Sequence, residues 1–99
     1  METIHPTPTI TEFAFSEALA FIKVGKQVGR REWKNARAVF LVDGSQFQVN
    51  RKPLLGIFPA GTEITYRAHI DMIGADGSVG TWAPSMVDLL AEDWYIVNN

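Results

Sequence analysis

From Thr62 to Met72 the side chains alternate without a break. Ile64, Tyr66, Ala68, Ile70 and Met72 fall on one side, and Glu63, Thr65, Arg67, His69 and Asp71 on the other. Period two over such a span marks a strand with one face buried and one face wet. The rest of the chain must therefore supply strands to pair with this segment and a layer to cover its apolar side.

Residues 13–24 can provide that layer. Phe15, Ala18, Leu19 and Ile22 recur at helical spacing and form one apolar stripe. Ser16 is expected to cap the amino end, and Gly25 to stop the helix in a left-handed conformation. Residues 27–33 read as a strand with Arg30 and Arg31 pointing outward. Residues 38–42 are a continuous apolar run and read as a buried strand. Asp43-Gly44 is a hairpin signal, followed by an alternating strand over 46–50. Residues 51–61 hold two prolines and two glycines, but also Leu54, Leu55, Ile57 and Phe58. Such a loop is expected to pack, on its own sheet or on a neighbouring chain. Ala75-Asp76-Gly77 turns the chain into a short strand over 78–82. Ser85 and Asp88 form a capping box for a second short helix through Leu90, and 93–97 is a last strand. The expected fold is α+β: a small, mainly antiparallel sheet with an N-terminal helix and a short second helix near the C-terminus. Residues 1–12 read as an arm and 13–99 as a single ligand-binding domain.

At 99 residues the chain has room for one domain, and oligomerisation would bury more of its surface. It has no cysteine, which excludes disulfides and thiolate metal sites. No apolar stretch is long enough to span a bilayer. Residues 1–11 are polar and proline-bearing, and do not read as a signal peptide. Net charge is −2, but every Lys and Arg lies between Lys23 and Arg67, while residues 68–99 carry only acids. This asymmetry suits either an anion-binding face or complementary halves that neutralise each other. A polymeric nucleic-acid binder would usually be basic overall.

No phosphate-cradling glycine loop, dinucleotide fingerprint or nucleophile elbow occurs. His69 and Asp71 share a strand face with Arg67. As a metal site they would lack ligands, with Asp76 the only nearby addition. The trio suits binding better: Arg67 presents a planar fork to a phosphate, Asp71 accepts from a ribose hydroxyl or base amine, and His69 stacks or donates. Trp33 and Trp82 stand among polar or basic neighbours at element ends, where an indole can stack on a base or close a small core. Trp94, inside the last strand, reads as core. Asn50 and Arg51, leading into the packed loop, offer donors to phosphate oxygens or make a solvated turn.

Three ordered stretches add a resemblance: SEALAFIKVGKQVGRREW (16–33), FLVDGSQFQVNRKPLLGIFPAGTEITYRAHIDM (40–72) and DGSVGTWAPSMVDLLAEDW (76–94). Together they resemble a phage and prophage family, the Thoeris anti-defence proteins of the second type. The middle stretch is the most specific. The resemblance implies a sponge, which binds glycocyclic ADP-ribose isomers made by TIR-domain enzymes, and in some relatives cyclic dinucleotides, without cleaving them. It further implies a homotetramer in the cytoplasm of the infected host, pockets drawing on more than one chain, no cofactor and no metal. On matched positions, Trp33 and Trp82 would stack bases, Arg51 and Arg67 would hold phosphates, and Asn50, His69 and Asp71 would contact ribose or base. Two departures stand out: the arm is longer than is usual in the family, and Trp33-Lys34-Asn35-Ala36 replaces a glycine-containing turn. Two other readings remain: an enzyme degrading the same signals through His69 and Asp71, and a partner-binding phage protein without a nucleotide ligand.

Overall fold

A computed structural model describes residues 12–34 and 37–97. The expected arm up to Thr11, and Asn35-Ala36 of the turn after Trp33, lie outside them. The elements run α1 (Phe15–Lys23), β1 (Val28–Arg30), β2 (Ala38–Val42), β3 (Ser45–Gln48), a 3-10 turn (Leu54–Gly56), β4 (Glu63–Tyr66), β5 (His69–Ile73), β6 (Val79–Thr81), α2 (Met86–Leu90) and β7 (Trp94–Ile96). Five strands form one antiparallel sheet in the order β6-β5-β2-β1-β7, and β3 pairs with β4. The fold is α+β, with the two expected helices.

The long alternating segment is split. Ala38↔Ile73 through Val42↔His69, and Ser45↔Tyr66 through Gln48↔Glu63, keep one register. They form a single ribbon, interrupted where Asp43-Gly44 faces Arg67-Ala68. Asp43-Gly44 is therefore not a hairpin turn, since β2 and β3 run on in line and do not pair with each other. Gly44 is there for closeness: a Cβ on it would lie 2.7 Å from the Tyr66 carbonyl oxygen and 3.2 Å from the Ala68 nitrogen. A glycine inside a strand commonly marks such a backbone approach. The true turn is the 51–61 segment. There the ladder continues, as Val49 N donates to Thr62 O at 2.9 Å and Gly61 N donates to Val49 O at 2.9 Å.

α1 lies on one face of the five-stranded sheet. Ala18, Ile22, Val28, Val39 and Trp94 are fully buried together, with Phe15, Leu41, Ile70, Met72 and Ile96 packed around them. Side chains of Ile22 or Val28 size each contribute about 1.5–3 kcal/mol when removed from water. The helix ends as the glycine implied. Gly25 has φ 93°, Gly25 N donates to Ile22 O, and Lys26 N donates to Phe21 O. Its start differs from expectation. The N-cap is Ala14, and Ser16 sits inside the first turn, bonded to Glu17 Oε2 at 3.1 Å. The capping box of α2 is present: Asp88 N donates to Ser85 Oγ and Ser85 N donates to Asp88 Oδ2.

Arg30 does not point outward. It is paired with Trp94 in the β1–β7 register, so it shares the face under α1 and is 6 % exposed. Its guanidinium reaches Asp93 Oδ1 at 2.8 Å, Asp88 Oδ1 at 2.9 Å and Glu32 Oε2 at 2.9 Å. Arg31, by contrast, is exposed and lies 4.0 Å over the Tyr95 ring. The expected loop packing holds only in part: Leu54 is half-buried, but Leu55, Ile57 and Phe58 are exposed on this chain.

Candidate functional site

The seven candidate residues fall in four places, set by the ribbon and by the parity of its strands. At the far end, Asn50 and Arg51 line a concavity of about 360 Å³ with Phe47, Lys52, Leu54 and Tyr66. Phe47 and Tyr66 share a ribbon face, and their rings meet edge to face with centroids 5.1 Å apart. The concavity is thus lined by both aromatic and cationic side chains. That pairing can hold a phosphate on the guanidinium and a base or ribose on the rings. The connection is held in shape by its own backbone, with Leu55 N donating to Arg51 O and Phe58 N donating to Leu54 O.

Arg67 lies at the interruption of the ribbon. It lines a shallow depression of about 620 Å³ with Gly44, Gln46, Thr65 and Tyr66. Tyr66 belongs to both concavities, so the phosphate-holding candidates Arg51 and Arg67 flank one aromatic residue.

At the near end, Trp82 lines a largely apolar cleft of about 490 Å³ with Phe15, Leu19, Leu41, Ile70 and Pro84; Lys23, His69 and Thr81 also border it. Trp82 N donates to Ile70 O, so its side chain continues the α1-covered face. Trp33 joins it there, with centroids 6.4 Å apart, and both meet Trp94 edge to face at 5.2 and 5.8 Å. The two indoles are thus together and partly in the core, while Trp94 is wholly buried as expected.

His69 and Asp71 occupy the opposite side of the sheet. Asp71 pairs with Phe40 and Thr81, neither of which joins the cluster under α1. His69 Nε2 is 3.3 Å from Asp71 Oδ1, and His69 Nδ1 is 3.1 Å from the Arg67 carbonyl oxygen. A carbonyl can only accept, so Nδ1 is the donor. The suggested third metal ligand is engaged elsewhere, since Asp76 Oδ1 accepts from Ser78 N and Ser78 Oγ. Those bonds hold the Asp76 carboxyl below the usual carboxylate range. No cluster of three or more metal-binding side chains occurs among the described residues.

Phe47, Tyr66 and Lys23 were not singled out by the sequence. A signal for the first two existed: Phe47 pairs with Ile64, next to Tyr66, once β3 and β4 are read as one ribbon. The buried role of Arg30 had no local signal, because Asp88 and Asp93 lie far along the chain.

A Thoeris anti-defense 2-like domain, Tad2-like, matches residues 13–97. The chain is 35% identical over 88 residues to the Thoeris anti-defense 2 protein of Bacillus phage SP01, covering 89% of this chain and 98% of that protein. No helix among the described residues is long and apolar enough to cross a membrane.

Proposed function

The chain belongs to the Thoeris anti-defense 2-like family, which supports a phage anti-Thoeris role, and from that premise we propose that it is a sponge for cyclic nucleotide immune signals. It binds glycocyclic ADP-ribose isomers or cyclic dinucleotides in the cytoplasm of the infected host and holds them away from their receptor without cleaving them. The observation that carries the nucleotide reading is the concavity at the ribbon end. There Arg51 and Lys52 stand beside the Phe47–Tyr66 pair, matching the phosphates and flat bases of such ligands.

Seven residue steps of ribbon separate the His69 pair from the Val49–Thr62 rung, a run of about 23 Å at ~3.3 Å per residue. Asn50 and Arg51 therefore do not share one small ligand with Trp82 or His69 of the same chain. The reading takes the protein as a homo-oligomer, a homotetramer by family resemblance, whose pockets are completed between chains. Trp33 and Trp82 supply stacking surface at one end and Arg51 phosphate contacts at the other.

The contact between His69 and Asp71 favours a second reading, an enzyme that consumes the same signals. A depletion-and-release assay separates the two. Protein is mixed with glycocyclic ADP-ribose isomers and a panel of cyclic dinucleotides, and free nucleotide is quantified before and after heat denaturation. A sponge depletes stoichiometrically and returns the ligand unchanged. Return of a converted product at substoichiometric protein overturns the sponge. Depletion of nothing in the panel overturns both.

A further inference from the structure

Two apolar patches stand exposed on this chain, and the backbone of both is tied by hydrogen bonds. At the ribbon end, Leu55, Ile57 and Phe58 are exposed, Ile57 to 70 %. The loop that carries them is fixed by backbone hydrogen bonds from Leu55, Phe58 and Thr62 to Arg51, Leu54 and Pro59. At the other patch, α2 has no buried residue, and Leu90 is exposed to 74 %. α2 is fixed from beneath by its capping box, by Arg30 on Asp88 and by Trp94 Nε1 donating to Asp88 O. Apolar residues that a fold orders but does not bury are presented for something else. The hydrogen bonds that tie their backbone lower the ordering cost of docking.

The charges around the two patches are opposite. Residues 51–61 carry Arg51 and Lys52 and no acid, whereas residues 82–93 carry Asp88, Glu92 and Asp93 and no cation. Arg30 sets one positive charge against Asp88, Asp93 and Glu32, so this cluster stays net negative.

We propose that these surfaces are each other's partners: the ribbon end of one chain docks on α2 of a second copy. A two-fold pair of chains lying antiparallel makes the contact twice, each giving its ribbon end and receiving the other's. Ile57 and Phe58 then pack on Met86, Val87 and Leu90, while Arg51 and Lys52 face the acids flanking α2. Pro84 and Trp82 lie just ahead of α2 in the chain, so the docking also narrows the distance between the two ends of the candidate site. The proposal names surfaces for the self-association invoked above. Its test uses no nucleotide, so it can fail while the sponge reading stands.

The chain has no cysteine, so any disulfide formed by engineered variants is unambiguous. Ile57→Cys and Leu90→Cys proteins, one of them tagged, are mixed and oxidised. The mixed disulfide is expected to exceed both homotypic ones. A charge test runs beside it by sedimentation velocity. Leu90→Lys is expected to weaken association at least tenfold, and Leu90→Glu clearly less, because only the lysine is repelled by Arg51 and Lys52. Homotypic crosslinks alone, no crosslink, a wild-type chain that sediments as a monomer at micromolar concentration, or equal losses from lysine and glutamate would each overturn the docking.

Discussion

Arg30 and Asp93 meet across the β1–β7 pair, Nε to Oδ1 at 2.8 Å, with the Arg30 side chain 7 % exposed. The same guanidinium reaches Asp88 in α2 at 2.9 Å, so one buried cation ties two strands to the second helix. Removing one partner of a buried pair leaves the other charge uncompensated, at a cost of roughly 3–5 kcal/mol. Arg30→Met should therefore destabilise the fold by about 3 kcal/mol or more. Arg30→Lys should recover only part of this, because an ammonium lacks the planar fork that serves several carboxylates. Urea denaturation of the three proteins measures it, and an Arg30→Met midpoint equal to wild type would refute it.

The same cluster sets an acid limit. Burial pushes the Asp88 and Asp93 carboxyls up, but hydrogen bonds and charge from Arg30, with backbone donors at Ser85 and Glu32, outweigh it and hold both below the usual carboxylate range. A carboxyl depressed in the folded state stabilises above its unfolded value, about 4, and that stability is lost as pH falls through the folded value. Arg30 is raised, mainly by its hydrogen bond to Asp93, and its contribution is lost only far above neutral pH. Urea midpoints should stay level from pH 7 to about 5 and drop below about 4. In Arg30→Met the carboxyls keep their burial without their partner, so their pKa values rise and the acid loss should shrink or reverse sign.

The sheet was legible where one segment carries its own pattern. The helical stripe from Phe15 to Ile22, Gly25 and the Ser85–Asp88 box needed only neighbours in sequence, and each stands, while the alternation over 62–72 stands as strand but is split between β4 and β5. Asp43-Gly44 misled because the same dipeptide serves a tight turn and a close backbone approach; only the partner strand decides which. Arg30 misled because two of its three carboxylate partners, Asp88 and Asp93, lie beyond any local window. The candidate site was legible as chemistry but not as geometry. Trp33 and Trp82 do meet, and so do His69 and Asp71, yet strand parity sets the pairs on opposite faces. The aromatic pair beside Arg51 needed the β3–β4 register to be seen.

That close approach makes Gly44 a sharp test of the ribbon. A Cβ there would fall 2.7 Å from a main-chain oxygen and 3.2 Å from a main-chain nitrogen, and neither can swing aside as a side chain would. Gly44→Ala should cost about 1–3 kcal/mol, at the destabilising end of single substitutions. Gly56→Ala, where a Cβ meets nothing within 4 Å, should be nearly neutral. Thermal melts of the two variants give the comparison. A Gly44→Ala melt matching that of Gly56→Ala would mean that the two halves of the ribbon do not approach as closely as described.

Arg51 carries the last expectation, since it is exposed and its loss should leave the fold intact. Charge-assisted hydrogen bonds contribute about 1.5–3 kcal/mol, and each 1.4 kcal/mol is a factor of about ten in affinity. Arg51→Ala should thus weaken nucleotide binding at least about tenfold by calorimetry without moving the melting temperature. Arg51→Lys should recover part of the affinity, because the charge remains while the fork is lost. Trp82→Ala should behave differently. Its ring contacts Phe15, Trp33 and Trp94 as well as the cleft, so stability and binding should fall together. If Arg51→Ala binds like wild type while Trp82→Ala, tested well below its melting temperature, does not, the ligand sits in the Trp82 cleft alone and the ribbon end takes no part in binding it.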